Sequence, residues 1–139
     1  MAKQQLLILL VDDDKEFREI FSIKLRASGF KIVEAANGEE GIRKAKEVKP
    51  DLMLLDLIMP VMNGAEALLK IQSDKDLAGL KVAFLTNYGE PKKELEEIDK
   101  KFAKEASALN HIKKTNNFDS IVEEIKNIIR APAPVNPNN

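Results

Sequence analysis

The chain has 139 residues, of which 22 are basic and 23 acidic, so its formal net charge is −1. This length predicts one domain, and a charge near neutrality gives no electrostatic footprint for nucleic acid or an anionic membrane. With no cysteine and a single histidine, the composition excludes disulfides and thiolate metal sites and argues against a histidine metal cluster or a Ser-His-Asp triad.

Short apolar runs alternate along the chain with segments in which apolar residues recur every three or four positions. Runs that do not alternate with polar residues are typical of strands buried on both faces, and the second pattern is typical of amphipathic helices. In chain order the first segments are a strand at Leu6–Val11, a helix from about Phe17 that ends before Gly29, a strand at Lys31–Ala35, a helix from Asn37 toward Val48, and a strand at Asp51–Leu57. The later segments are a helix from about Ala65 to Asp74, strands at Lys81–Thr86 and Leu109–Lys113, a charged helix between Pro91 and about Ser107, and a last helix from Phe118 to Ile129.

Two local features bear on the boundaries of these segments. Asn37 followed by Glu40 resembles a capping box at the start of the second helix. The segment 131–139 contains three prolines and three asparagines, which predicts a disordered tail after a domain at 1–130.

No apolar run approaches the length of about 20 residues that a membrane span needs, and no secretion signal is recognisable, so we expect a cytoplasmic protein. A tail this short leaves no room for an output domain, which predicts a stand-alone domain.

Five strands that alternate with five helices predict a parallel sheet with helices on both faces. In such folds ligands bind at the carboxyl ends of the strands. The first strand ends in Asp12, Asp13 and Asp14, and the third carries Asp56 near its end. Because carboxylates that converge on one crevice repel one another, this arrangement calls for a hard cation, and Mg²⁺ fits best.

The acidic residues at the strand ends do not all predict the same role. Asp14 is most simply the N-cap of the following helix. Asp56, in contrast, interrupts an apolar run between Leu52 and Met59. A charge is costly in such a run unless it reaches the crevice, so Asp56 is the stronger candidate for a functional residue.

Four motifs in this order resemble the receiver domains of two-component response regulators. They are Leu9-Leu10-Val11-Asp12-Asp13, the stretch from Pro50 to Pro60 with Met62-Asn63-Gly64, Phe84-Leu85-Thr86, and Lys114. The resemblance covers about Leu6 to Ile129. It implies a flavodoxin-like α/β fold, a doubly wound parallel sheet of five strands in the order 2-1-3-4-5 with five helices.

The resemblance also implies a phospho-accepting signalling switch. Asp56 would accept the phosphoryl group, Asp13 and Asp56 would bind Mg²⁺ directly with the backbone carbonyl of Ile58, and Asp12 would act mainly through a bound water. Thr86 would hydrogen-bond the phosphoryl oxygens. The donor would be a histidine kinase or phosphotransfer protein, and the reader would be a downstream protein partner, with no nucleic acid and no membrane involved. Beyond self-phosphorylation and slow autodephosphorylation we expect no enzyme activity, and we expect a monomer or a phosphorylation-dependent dimer.

The resemblance also implies the roles of the lysine and of the switch residues. Lys113 and Lys114 both compete for the phosphoryl-pairing role, and the position of His111, three residues before Lys114, favours Lys114. Thr86 and His111 would form the switch, because in the family the position of His111 usually holds an aromatic residue that moves together with the threonine. A half-buried filler is the simplest interpretation of His111, and a rotamer switch or a pH-sensitive switch is the alternative.

The sequence departs from the family at several further positions. Thr115 replaces a proline that is often preceded by a cis peptide bond, so a trans path after Lys114 is expected. Asn87 replaces a small residue. An apolar Ile58 and a large Tyr88 would shield an acyl phosphate, which predicts a long-lived phosphorylated state.

Other functions are less consistent with the sequence. Aspartate-nucleophile phosphohydrolases carry an Asp-x-Asp motif. In this chain Ile58 stands where the second aspartate of that motif would be. No Gly-x-Gly-x-x-Gly or Walker-type motif occurs. A receiver-like protein-interaction module that is never phosphorylated stays open as the alternative.

Overall fold

The computed structural model describes residues 5–57, 59, 62–87 and 110–132. Within them, strands and helices follow one another as the periodicity predicts. The strands are β1 (Leu7–Val11), β2 (Lys31–Ala35), β3 (Leu52–Asp56), β4 (Val82–Thr86) and β5 (Asn110–Lys113). The α-helices are α1 (Lys15–Ala27), α2 (Gly38–Val48), α3 (Gly64–Gln72) and α4 (Phe118–Arg130), and a 3-10 helix spans Lys75–Leu77.

All five strands form one parallel sheet in the order β2-β1-β3-β4-β5. The predicted flavodoxin-like sheet is therefore confirmed. The described part of the chain contains four α-helices rather than the predicted five. The predicted helix between residues 91 and 107 lies outside the described residues, as do residues 133–139 of the predicted tail.

The two faces of the sheet are buried in two separate apolar clusters. One face, with Leu9, Met53 and Phe84, packs under α2 and α3. The other face, with Leu10 and Leu54, packs under α1 and α4. Burial on both faces explains why β3 and β4 are buried at every position and why their sequences are continuous apolar runs. None of the described helices is long and apolar enough to cross a bilayer.

Side-chain caps fix where the helices begin. Asp14 Oδ1 accepts a hydrogen bond from the backbone N–H of Phe17 at 3.1 Å, which confirms the expected N-cap role of Asp14. Asn37 Oδ1 accepts from the backbone N–H of Glu40 at 2.8 Å. The Glu40 carboxylate reaches back to the N–H of Ala36 at 3.3 Å, one residue before the cap, so the predicted capping box forms with a small shift.

The region after α3 differs from the sequence prediction. The third helix ends at Gln72 rather than Asp74. Asp74 instead caps the short 3-10 helix, because its side chain accepts from the backbone N–H of Asp76 at 2.9 Å. Leu77 at the end of this turn is buried in the core. A single turn has no periodicity of its own, so the apolar pattern did not reveal it.

Candidate functional site

The site lies where the carboxyl ends of four strands meet at one edge of the sheet. Asp12 follows β1 directly, Asp56 and Thr86 are the last residues of β3 and β4, and Lys114 follows β5. The register aligns these ends, since Val11 pairs with Leu55 and Thr86 pairs with Lys113. Parallel pairing therefore brings residues about 100 positions apart in the chain to a common crevice.

Three carboxylates form the acidic part of the crevice. One carboxylate oxygen from each of Asp12, Asp13 and Asp56 lies within 4.8 Å of the others. Asp12 is 0% exposed and Asp56 is 3% exposed, whereas Asp13 is open to solvent. Asp14 takes no part in this cluster, since its side chain caps α1. The structure thus brings together the three aspartates that the sequence predicted as a metal site.

Lys114 supplies the positive charge beside these carboxylates. Its Nζ lies 2.7 Å from Asp12 Oδ2 and 3.5 Å from Asp56 Oδ2, and its side chain is 10% exposed. Burial disfavours the charged ammonium, but the carboxylates of Asp56 and Asp12 outweigh this effect, so the pKa of Lys114 is raised above its ordinary value. One lysine faces three acidic groups, which leaves the crevice with an excess of negative charge.

The backbone after β5 directs Lys114 toward the crevice. The backbone N–H of Lys114 donates to the carbonyl oxygen of Thr86 at 2.8 Å, which extends the pairing of β4 and β5 by one bond. The described residues contain no cis peptide bond, so the path from Lys114 to Thr115 is trans, as the absence of proline predicted. The neighbouring Lys113 pairs with Thr86 in the strand register.

Gly64 allows α3 to begin directly against the strand that carries Asp56. Its N–H donates to the carbonyl oxygen of Leu57 at 2.8 Å. A Cβ on Gly64 would lie 2.6 Å from the Asp56 carbonyl oxygen and 2.9 Å from both Leu57 Cα and a Phe84 ring carbon. The glycine of the Met62-Asn63-Gly64 motif is thus a steric requirement of the turn beside Asp56.

The two predicted switch residues lie on neighbouring strands. Thr86 is fully buried at the end of β4. His111 is half-buried on β5, opposite Phe84 in the register, and the two rings are 5.4 Å apart at a tilt of 40°. This burial agrees with the expected half-buried filler, and a switching role for His111 stays a prediction. Ile58 and Tyr88 lie outside the described residues.

Two residues in the first turns of α1 contact the site without having been predicted. Lys114 Nζ lies 4.5 Å from the centroid of the Phe17 ring. Arg18 donates to the carbonyl oxygen of Asp12 at 2.7 Å and to Glu34 Oε1 at 3.1 Å. The helical periodicity placed Phe17 in the core stripe and gave no signal for its contact with Lys114. The one available hint in the sequence was that Phe17 and Arg18 follow closely after the acidic motif at Asp12–Asp14.

The donor set fits a hard divalent cation. Mg²⁺ prefers oxygen ligands and uses few carboxylates together with waters or phosphate oxygens. Asp12 Oδ2 is buried and lies 2.7 Å from the Lys114 ammonium, so this anionic oxygen already faces a cationic partner. A buried anionic oxygen of this kind is suited to a cation or to a water that a cation holds.

Comparison with known proteins identifies relatives over almost the whole chain. A model of the response regulator receiver domain matches residues 8–126. Response regulator protein VraR of Staphylococcus aureus (strain COL) is 36% identical over 132 residues, which cover 94% of this chain and 59% of VraR. The chain thus spans 59% of the length of this curated relative.

Solved structures show the same fold. Chemotaxis response regulator CheY4 of Vibrio cholerae is 25% identical with a TM-score of 0.75, over 90% of this chain and 99% of that one. Response regulator protein TrrA of Thermotoga maritima, solved in complex with Mg²⁺ and BeF, is 30% identical with a TM-score of 0.72, over 89% of this chain and 99% of that one.

Proposed function

Since the chain belongs to the response regulator receiver domain family, we propose that Asp56 accepts a phosphoryl group from a histidine kinase or a phosphotransfer protein. The observation that carries this proposal is the cluster at the strand ends. Asp12, Asp13 and Asp56 offer oxygens within 4.8 Å of one another, and Lys114 Nζ lies 3.5 Å from Asp56 Oδ2. A nucleophilic carboxylate, a site for a divalent cation and a lysine are therefore adjacent.

The transfer is a displacement at phosphorus. An oxygen of the Asp56 carboxylate attacks the phosphorus atom and forms a new O–P bond. The bond between phosphorus and the donor nitrogen breaks, and its electron pair stays on the donor imidazole. Phosphoryl transfer depends on positioning and on neutralisation of charge more than on covalent chemistry by the protein. The crevice would supply the positioning, and a bound cation together with Lys114 would supply the neutralisation.

The charged side chains divide this task. Asp13 and Asp56 would hold Mg²⁺ directly, Asp12 would hold it mainly through a water, and the backbone carbonyl of Ile58 would complete the protein ligands. When bound, the cation neutralises the carboxylates and the incoming phosphoryl oxygens. Lys114, which already contacts Asp56, would pair with the phosphoryl charge.

Phosphorylation would then act as a local electrostatic event. The group adds about −1.5 to −2 charges and three acceptor oxygens to the crevice. Thr86 would move inward and donate a hydrogen bond from its hydroxyl to one of these oxygens. The side chain of His111, on the neighbouring strand, would move with it. A coupling of about 1–3 kcal/mol between the site and the partner surface would be typical of such a switch. A downstream protein would read the altered surface.

The remaining parts of the proposal concern activity and state. The chain would catalyse only its own Mg²⁺-dependent phosphorylation from a donor and a slow autodephosphorylation. It would act in the cytoplasm, as a monomer or as a dimer that forms on phosphorylation. A receiver-like module that is never phosphorylated is not favoured, because the acidic cluster and Lys114 are assembled together.

The test compares wild type with Asp56→Asn after incubation with Mg²⁺ and acetyl phosphate. Intact-mass spectrometry should show a phosphoryl adduct on wild type and none on Asp56→Asn. Asp14→Asn is the matched control, because Asp14 is a neighbouring carboxylate that caps α1 and should leave the adduct unchanged. No wild-type response to acetyl phosphate or to beryllofluoride would overturn the proposal in favour of the interaction module. An adduct that forms equally on Asp56→Asn would show that Asp56 is not the phosphoryl acceptor.

A further inference from the structure

The Lys114 ammonium contacts an aromatic ring as well as the carboxylates. Its Nζ lies 4.5 Å from the centroid of the Phe17 ring on α1. The same atom lies 2.7 Å from Asp12 Oδ2. We propose that Phe17 is a positioning residue that holds the Lys114 ammonium in the crevice through a cation–π contact. The inference rests on the proposed function, in which Lys114 pairs with the phosphoryl group.

Besides the carboxylates of Asp12 and Asp56, which also face the predicted cation site, the Phe17 ring restrains the Lys114 side chain. A lysine has a flexible four-carbon stem and a compact charge, so its ammonium is poorly positioned by its backbone alone. The hydrogen bond from the Lys114 N–H to Thr86 fixes only the backbone. The φ angle of residue 115 is free to vary with threonine at this position, whereas a proline would restrict it.

Phe17 is itself held in place by two further rings. Phe17 and Phe21 are one helical turn apart on α1 and stack with centroids 5.1 Å apart at 24°. Phe21 meets Phe118 edge to face at 5.7 Å and 84°. Phe118 is the first residue of α4, directly after the turn that begins at Lys114. The three rings therefore connect α1 to both ends of the turn that carries the lysine.

The simpler interpretation makes Phe17 an apolar residue that only fills the seam between α1 and α4. The two interpretations predict different effects of leucine at this position. Leucine retains most of the apolar contact but lacks the ring quadrupole that attracts the ammonium. Loss of filling would loosen the whole crevice and weaken the binding of every ligand. Loss of positioning would release Lys114 alone.

Release of the Lys114 ammonium would change the affinities for Mg²⁺ and for beryllofluoride in opposite directions. The ammonium contacts Asp12 and Asp56, which are also the predicted cation ligands, so it repels and competes with Mg²⁺. A released lysine therefore favours Mg²⁺ binding. Beryllofluoride, an anionic analogue of the phosphoryl group, loses its positive partner. We expect Phe17→Leu to lower the Mg²⁺ Kd by about twofold and to raise the beryllofluoride Kd by about fivefold.

The experiment measures both affinities by calorimetry on the full chain, together with the NMR shift of the Lys114 side-chain protons without metal. Wild type should show a ring-current shift at Lys114 that Phe17→Leu removes. Phe17→Tyr, which retains an aromatic face, should restore the shift and both affinities. Phe30→Leu is the matched control, because it removes a ring that is buried in the same apolar cluster but lies outside the row formed by Phe17, Phe21 and Phe118.

The outcomes separate this inference from the proposed function. Affinity changes of opposite sign in Phe17→Leu, with both affinities of Phe30→Leu close to wild type, support the positioning role. Weaker binding of both ligands, equal effects of the two leucine variants, or no ring-current shift at Lys114 in wild type would overturn it. Wild type that binds no beryllofluoride would refute the proposed function instead, and the Lys114 signal without metal would still decide the role of Phe17.

Discussion

At the scale of single residues, the main feature is that the crevice buries negative charge beside one lysine. Asp12 and Asp56 are almost inaccessible to solvent, and a buried carboxylate is costly unless a cation or hydrogen-bond donors compensate it. Lys114 contacts both. It provides one positive charge against two buried negative ones. The remaining imbalance favours a divalent cation and makes the lysine important for the stability of the protein without metal.

We therefore predict that Lys114→Met lowers the free energy of unfolding by about 2 kcal/mol without Mg²⁺, because removal of one partner leaves buried charge uncompensated. The pKa of Lys114 is raised above 10.5 in the folded protein, so its contribution is complete below that pH. It is lost as the pH rises through the higher folded-state pKa. Urea unfolding should show a constant difference from wild type between about pH 7 and 9 and a smaller one above 10.5.

Lys113→Met is the control for this measurement, since Lys113 is the preceding lysine and pairs with Thr86 in the strand register. It should cost much less stability. Mg²⁺ should stabilise Lys114→Met more than wild type, because the cation replaces the missing charge. An equal loss in both variants would show that the lysine at 114 does not compensate the buried carboxylates.

At the scale of elements, the turn between β3 and α3 is the tightest part of the site. Gly64 is the first residue of α3 and donates to the carbonyl oxygen of Leu57. Its Cα faces backbone atoms that cannot move without moving Asp56. We predict that Gly64→Ala costs about 2–3 kcal/mol of stability and weakens beryllofluoride binding, because the new Cβ would lie 2.6 Å from the Asp56 carbonyl oxygen.

Gly41→Ala provides the comparison for that prediction. A Cβ on Gly41 would also be crowded, at 2.8 Å from Val11 Cγ2, but its near neighbours are the side chains of Val11 and Met53 rather than the backbone of Asp56. Both variants should lose stability in urea unfolding. Only Gly64→Ala should lose affinity for beryllofluoride beyond what its lower stability explains. Unchanged affinity in Gly64→Ala would show that the position of Asp56 tolerates the added carbon.

At the scale of the whole molecule, the sequence predicted the sheet well because each central strand is buried on both faces. β1 and β3 begin one residue after the predicted runs, and β3 also ends one residue earlier. The rule that ligands bind at the carboxyl ends of parallel strands then placed Asp12 and Asp56 at one crevice from the sequence alone, and the family resemblance added Thr86. Continuous apolar runs mark the buried strands, and apolar residues three to four positions apart mark the helices.

The same patterns could not show which side chains meet across elements. Phe17 and Lys114 are far apart in the sequence, and their contact depends on the approach of α1 to the turn after β5. Arg18 was missed for a similar reason, since its partners are a backbone carbonyl and a glutamate on β2. The 3-10 helix at Lys75–Leu77 is too short to have a period. Tertiary packing decides the first two, and the length of the element decides the third.

The lifetime of the phosphorylated state is a property of the whole domain, and we predict that it is long. Hydrolysis requires a water aligned with phosphorus, and Ile58, two residues after Asp56 in the sequence, offers no hydrogen bond to such a water. A side-chain hydrogen bond worth about 1 kcal/mol would speed hydrolysis about fivefold. Ile58→Asn should therefore shorten the half-life of the aspartyl phosphate, measured by intact mass after removal of the donor.

Ile23→Asn is the matched control, because Ile23 is 64% exposed on α1, and it should leave the half-life unchanged. A wild-type half-life of seconds would contradict the prediction, as would equal half-lives in wild type and Ile58→Asn.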